Sequence, residues 1–172
     1  MVVVGAGGSL AAWKAAEQGV DVLMIEKDRE IGLPVRCAEA IGADVVHRYL
    51  EKNPRWIAHE LRGARLFAPS GDCVEFSFDG FGKGGYILER NLFDRELANQ
   101  AARAGADIGV STCATGLAYD QGRLAGVKMN TRGEEYTVSC KLVIAADGVE
   151  SRVTRWAGLK TMIALRDLEV TT

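Results

Sequence analysis

The chain reads as an α/β fold with a central parallel sheet, on the strength of two segments near its ends and an acidic residue between them. Val2-Val-Val-Gly5-Ala-Gly7 is a short apolar strand running into glycines, and Leu142 to Ala146 is a buried strand running into Asp147-Gly148. Glu26 ends the strand after the first helix, 21 positions beyond Gly5. Apolar strands that alternate with helical periodicity belong to βαβ units, whose strands lie parallel.

Each element follows in order. Met1 to Val4 is a buried strand, Ser9 to Gln18 a helix closed by Gly19, and Val20 to Ile25 a second strand. Ile31 to Ala40 is a loop punctuated by Gly32 and Pro34, and Ala43 to Glu51 a helix that stops near Pro54. Ala64 to Ala68 and Cys73 to Phe78 alternate as paired strands, and Tyr86 to Glu89 follows a glycine-rich turn. Asn91 is expected to cap a helix with Leu92, Phe93, Leu97 and Ala101 on one face and Gly105 as its stop. After a strand over 106–111, three short segments split at Asp120-Gln-Gly122 and Thr131-Arg-Gly133 predict a β-meander leading to the strand before Asp147. Such a meander stands where a dinucleotide fold has a crossover helix.

Composition narrows the function. With a net charge of −2 and acids and bases interspersed, no basic stripe offers itself to phosphates, so nucleic acid is excluded as an expected partner. Cys37, Cys73, Cys113 and Cys140 are far apart, with only His47 and His59 nearby, so neither a zinc site nor a disulfide framework is indicated. That usage suits a reducing cytoplasm. Met1 opens on a core strand without a charged leader, and no apolar run approaches the roughly 18 residues of a spanning helix, so any membrane contact is expected to be peripheral.

Gly5 and Gly7 let the chain turn sharply beside a pyrophosphate, whose charge can rest on helix N-terminal amides. Glu26 lies where a carboxylate accepts hydrogen bonds from both hydroxyls of an adenosine ribose. Read together, these features point to a flavoprotein.

The resemblance then becomes specific. Gly5-Ala-Gly7, Ile25-Glu26-Lys27, Glu30-Ile-Gly-Leu-Pro34-Val-Arg36-Cys37-Ala-Glu, Gly85-Tyr-Ile-Leu-Glu-Arg90-Asn-Leu-Phe-Asp94 and Ala145-Ala-Asp147-Gly148-Val-Glu-Ser151 resemble the geranylgeranyl reductase family. These are FAD enzymes of the hydroxybenzoate-hydroxylase-like group, and Pro-Val-Arg-Cys is the most family-specific element. The resemblance implies a Rossmann-like FAD-binding domain over 1–165, with the strands of 55–85 contributing to the substrate side. It further implies that 166–172 begin a second, mixed α+β substrate domain. Gly5, Gly7 and Gly8 would face the pyrophosphate, Glu26 and Lys27 the adenosine ribose, and Ala114 the adenine by its backbone. Arg36, Cys37, Ala38 and Ala40 would run along the cofactor toward the flavin, and Arg90 would neutralise phosphate charge. Asp147-Gly148 would approach the phosphate and ribityl region, supported by Ser151 and Arg155. The implied reaction reduces C=C bonds of a geranylgeranyl group on an isoprenoid lipid or related prenyl compound. NAD(P)H or a ferredoxin-type iron–sulfur carrier would supply electrons, and Cys37 would be the candidate proton donor.

Several of these residues have a plainer reading. Arg90 and Asp94 form an i, i+4 pair suited to a surface ion pair. Cys37 suits a buried small hydrophobe, and Asp147 suits a cap of the last helix. Trp13, Trp56 and Trp156 read as core or interface anchors. For the whole chain the rivals are a flavin-dependent monooxygenase or halogenase and a non-catalytic FAD-binding fragment.

One departure stands out. The family carries Gly-x-Gly-Pro-Ala-Gly-Ser in the first turn, whereas here Gly7 runs directly into Gly8-Ser9-Leu10. Strict spacing puts Leu10 at the third glycine position, pressed between helix and strand. A true deletion of two residues is expected to rotate the following helix by about 200° and misdirect its amides. The alternative, slightly favoured on sequence, is a mobile residue pair absent from the written chain.

Overall fold

Val2, Val3 and Val4 are at most 6% exposed, as expected of a strand covered on both faces of a parallel sheet. The computed structural model describes residues 1–35, 37, 39–78 and 84–168. These form two units, one comprising Met1–Leu33 with Asp94–Thr172, the other Pro34–Phe93.

The sheet of the first unit holds β1 (Val2–Val4), β2 (Leu23–Ile25), β8 (Asp107–Gly109) and β12 (Val143–Ala145), numbered along the chain. Its order is β12-β1-β2-β8 with every pair parallel, and Val4 lies between Ala145 and Ile25. Helix α1 (Ser9–Ala16) buries Ser9, Ala12, Trp13 and Ala16, the i, i+3, i+4, i+7 stripe of an amphipathic helix. It gives way to Gly19, whose φ of +75° takes the left-handed conformation that ends helices.

The meander is also present: β9 (Thr112–Asp120), β10 (Arg123–Thr131) and β11 (Glu134–Ser139) pair antiparallel in the order β11-β10-β9. Its two tight turns, Gln121-Gly122 and Arg132-Gly133, hold both central residues at positive φ, the geometry that matches strand twist in two-residue hairpins. Val127 and Met129 of β10 join Val2, Val4, Ile25 and Val153 in one buried cluster. Val153 comes from α4 (Arg152–Trp156). Replacing a fully buried side chain such as Met24 by alanine is expected to cost about 2–5 kcal/mol.

The second unit contains β3 (Ala40–Gly42), α2 (Ala43–His47), β4 (Ile57–Leu61), the hairpin β5 (Gly63–Phe67) with β6 (Cys73–Ser77), and β7 (Gly85–Leu88). β7 lies between β3 and β4, antiparallel to both. Trp56 is 3% exposed and meets Phe93 edge-on at 5.2 Å between ring centroids, which makes it a core anchor. His47 Nε2 lies 2.7 Å from the Tyr86 hydroxyl, a partner the sequence did not reveal. β3 and β4 were not expected, because Ala40-Ile-Gly and Ile57-Ala-His-Glu-Leu show little of the alternation that marks a strand. Helix α3 (Arg90–Arg103) begins at Arg90, with the Glu89 carbonyl accepting from the Leu92 and Phe93 amides. Asn91 therefore sits inside the first turn rather than capping it. Among the described residues no helix is long and apolar enough to cross a membrane.

Candidate nucleotide-binding site

Three of the expected positions converge at the carboxyl ends of β1, β2 and β12, the edge where open α/β sheets bind ligands. Gly5 leaves β1 with its amide donating to the Ile25 carbonyl at 2.8 Å, while the Ala146 amide donates to Val4 at 2.8 Å. Gly5 has φ +97°, and a Cβ there would fall 2.3 Å from the Ala146 carbonyl oxygen and 3.2 Å from Asp147 Cα. Only glycine fits both the dihedral and the space.

Glu26 follows β2 and is 9% exposed. Its Oε2 accepts the Ala6 amide at 2.8 Å, and its Oε1 accepts the Asp28 amide at 3.1 Å. The Glu26 main chain is pinned as well, its amide donating to Gly109 at 2.8 Å and its carbonyl accepting from Thr112 at 2.9 Å. A carboxylate oxygen has two acceptor sites, so each one held by an amide keeps capacity for a hydroxyl donor. This is a pre-oriented carboxylate of the kind a ribose diol requires.

Ala6–Gly8 form one turn of 3-10 helix that passes directly into α1. Gly8, not Leu10, is the glycine that lets the helix meet the strand, since a Cβ at Gly8 would lie 2.2 Å from Val3 Cγ1. Leu10 is half-buried.

Gly7 and Lys27 are exposed. Ala114 lies opposite Met129 and packs on the buried cluster. Asp147 Oδ2 accepts the Val153 amide at 2.9 Å, so this carboxylate caps α4, the plainer of its two readings. Gly148 is exposed at φ +74° with open space around its Cα, and Ser151 Oγ donates back to its carbonyl at 3.2 Å. Arg155 Nε donates to the Ser151 carbonyl at 3.4 Å.

The remaining positions belong to the second unit. Cys37 is exposed, which rules out a buried hydrophobe, and its Sγ accepts the Glu39 amide at 3.4 Å. Ala40 opens β3 and Arg90 opens α3. Arg36 and Ala38 lie outside the described residues. Sequence reasoning missed Ala6, Asp28, Gly109 and Thr112, because all four act at the corner through backbone groups, which no residue type advertises.

The corner fits the adenosine end of a dinucleotide: a glycine whose Cβ space is occupied by the neighbouring strand, beside a fixed, nearly buried carboxylate. Comparison with known proteins agrees. An NAD(P)-binding Rossmann-like domain matches residues 3–75. The digeranylgeranylglycerophospholipid reductase of Methanocella arvoryzae is 51% identical over 98% of this chain and 44% of its own length. That of Methanosarcina acetivorans is 47% identical over 98% and 42%. The chain thus spans less than half the length of these curated relatives. Among solved structures, a geranylgeranyl bacteriochlorophyll reductase-like protein from Thermoplasma acidophilum superposes with a TM-score of 0.89 at 44% identity, over 96% of this chain and 43% of that one. The myxobacterial chondrochloren halogenase CndH, at TM-score 0.70 and 23% identity over 90% of this chain and 38% of that one, shares the fold alone. These relatives bear out the resemblance to geranylgeranyl reductases read from the motifs. The FAD binding domain family matches residues 82–170, more than half of the sequence, and the chain belongs to that family.

Proposed function

We propose that this chain is the FAD-binding portion of a reductase acting on the geranylgeranyl chains of an isoprenoid lipid. The observation that carries the reading is the Glu26 carboxylate, held by the Ala6 and Asp28 amides beside the Gly5 corner. The reductase relatives, similar along almost the whole chain, supply the substrate class.

In this reading Glu26 accepts the two ribose hydroxyls of the cofactor's adenosine, and Lys27 and the Ala114 backbone flank the same end. Gly5, Gly7 and Gly8 give the close approach at the sheet edge, and Asp147-Gly148 the second approach, with Asp147 also holding α4 in place. Cys37 and Ala40 are assigned by the resemblance to the flavin end of the cofactor and Arg90 to its phosphates, while Arg36 and Ala38, assigned with them, lie outside the described residues. A flavin held by these residues would supply hydride chemistry for one carbon of the C=C bond, with NAD(P)H or an iron–sulfur carrier as the source of its electrons. The other carbon takes a proton, for which the exposed Cys37 thiol is the candidate source. Lipid access implies peripheral contact with a membrane surface.

Two measurements test this. Purified protein mixed with FAD should show oxidised-flavin bands near roughly 370 and 450 nm that differ from those of free FAD, and Glu26→Ala should weaken FAD binding by about 1.5–3 kcal/mol, the worth of charged hydrogen bonds. Unchanged affinity in that variant removes Glu26 from the site. For the reaction, the full-length protein with chemically reduced flavin should be reoxidised without oxygen by a geranylgeranyl glycerophospholipid, each reduced double bond gaining two hydrogens by mass. Reoxidation by oxygen alone, with a hydroxylated or halogenated aromatic product, would replace the reductase reading with its rival.

A further inference from the structure

The arc from Gly5 to Ser9 is where a dinucleotide's pyrophosphate would rest, and most of its amides are already engaged. The Ala6 amide donates to Glu26 Oε2 at 2.8 Å, the Gly8 amide to the Gly5 carbonyl at 3.0 Å, and the Ser9 amide to the Ala6 carbonyl. The Ser9 hydroxyl points inward too. It donates to the Ala6 carbonyl at 2.6 Å, and the residue is 1% exposed.

Both ends of the arc are fixed by contact. A Cβ at Gly5 would overlap the Ala146 carbonyl and one at Gly8 the Val3 side chain, so the backbone lies close against its neighbours at both positions and moving either outward would open the helix–strand packing. Only Ala6 and Gly7 join them. Two residues between fixed points, at no more than about 3.6 Å per residue, can close a turn but cannot bulge into a wider cradle. A phosphate-binding turn works by presenting free amides at a helix N-terminus. Here the amides of Ala6, Gly8 and Ser9 are turned to the protein's own oxygens.

We infer that this shortened arc contributes little to pyrophosphate binding, so that the chain selects nucleotides by their adenosine end and barely distinguishes adenosine from ADP. The inference rests on the proposed role of Glu26 and adds a specificity to it. Flavin retention then depends on contacts outside the first turn.

Isothermal titration of the unaltered protein with adenosine, AMP, ADP and FAD tests this directly. ADP should bind within about threefold of adenosine, where a working phosphate turn adds about tenfold or more. In a variant with Pro-Ala inserted between Gly7 and Gly8, ADP and FAD should gain at least about tenfold while adenosine stays unchanged. The ratio in the unaltered protein decides the matter even if the insertion variant fails to fold. ADP binding about tenfold tighter than adenosine to the unaltered protein overturns the inference. Equal ADP affinity in a folded insertion variant overturns it too. Adenosine that binds neither protein, or binds Glu26→Ala as well as the original, overturns the adenosine reading itself and this inference with it.

Discussion

The first unit turns two corners at the same edge of its sheet, β1 into α1 at Gly5 and β12 toward α4 at Asp147-Gly148, and they are built differently. Each has a glycine at positive φ and an acidic side chain whose oxygens accept backbone amides. At the first corner the glycine is confined by a neighbouring strand, and the Glu26 carboxylate ties two loops together. At the second the glycine faces open space, and the Asp147 carboxylate is spent on capping a five-residue helix. The first is rigid by packing, whereas the second is rigid only by its own backbone. A motif match alone would rank the two equally.

Alanine at each glycine separates them, and Gly5→Ala should have the largest effect. Its Cβ meets the Ala146 carbonyl oxygen at 2.3 Å with φ at +97°, so overpacking and backbone strain combine. A loss of about 3 kcal/mol or more in denaturant unfolding is expected. Gly148→Ala keeps open space and suffers only the left-handed penalty, about 1–2 kcal/mol. Equal losses at the two positions would show that the packing difference has no energetic weight. Asp147→Ala comes next, at about 1 kcal/mol for a lost cap. If it leaves FAD affinity unchanged while lowering stability, capping is the whole role of that carboxylate.

How much of this could be read beforehand follows the same division. Gly5, Glu26 and the meander were legible because each rests on local necessity: a turn that only glycine can make, a strand end at a fixed distance, hairpins with glycine at positive φ. The helix cap at Asn91 and the strands β3 and β4 were not, because their limits are set by partners far away in sequence. β4 exists through pairing with β7, some 28 residues later, and its own residues are mostly exposed. The exposed apolar side chains of the hairpin, Leu66 at 61% and Phe67 at 69%, were likewise unforeseeable, since alternation predicts a strand and not what covers it. At the site, spacing rules put the packing glycine at position 10, but the chain met the same steric demand with Gly8. The close approach of helix to strand is made there, where a Cβ would lie 2.2 Å from Val3 Cγ1.

The smallest effect on ligand binding should come from the support beneath the first corner. Thr112 is 4% exposed, and its hydroxyl donates to the Val110 carbonyl at 3.1 Å and lies 2.9 Å from the Thr131 hydroxyl, which in turn lies 2.9 Å from that of Tyr136. This hydroxyl chain steadies the turn at Ser111, a non-glycine residue at φ +52°, two residues after Gly109, whose carbonyl receives the Glu26 amide. Thr112→Val keeps the shape and removes the hydroxyl. Thr131 retains Tyr136, and the two neutral hydrogen bonds lost, to the Val110 carbonyl and to Thr131, are worth about 1–3 kcal/mol of stability. Because Glu26 is pinned here by the Gly109 carbonyl and the Thr112 amide, which the substitution leaves in place, adenosine affinity should stay within about threefold. A larger fall in affinity than in stability would mean that the corner depends on the meander's side chains, and that its rigidity is not a property of the parallel sheet alone.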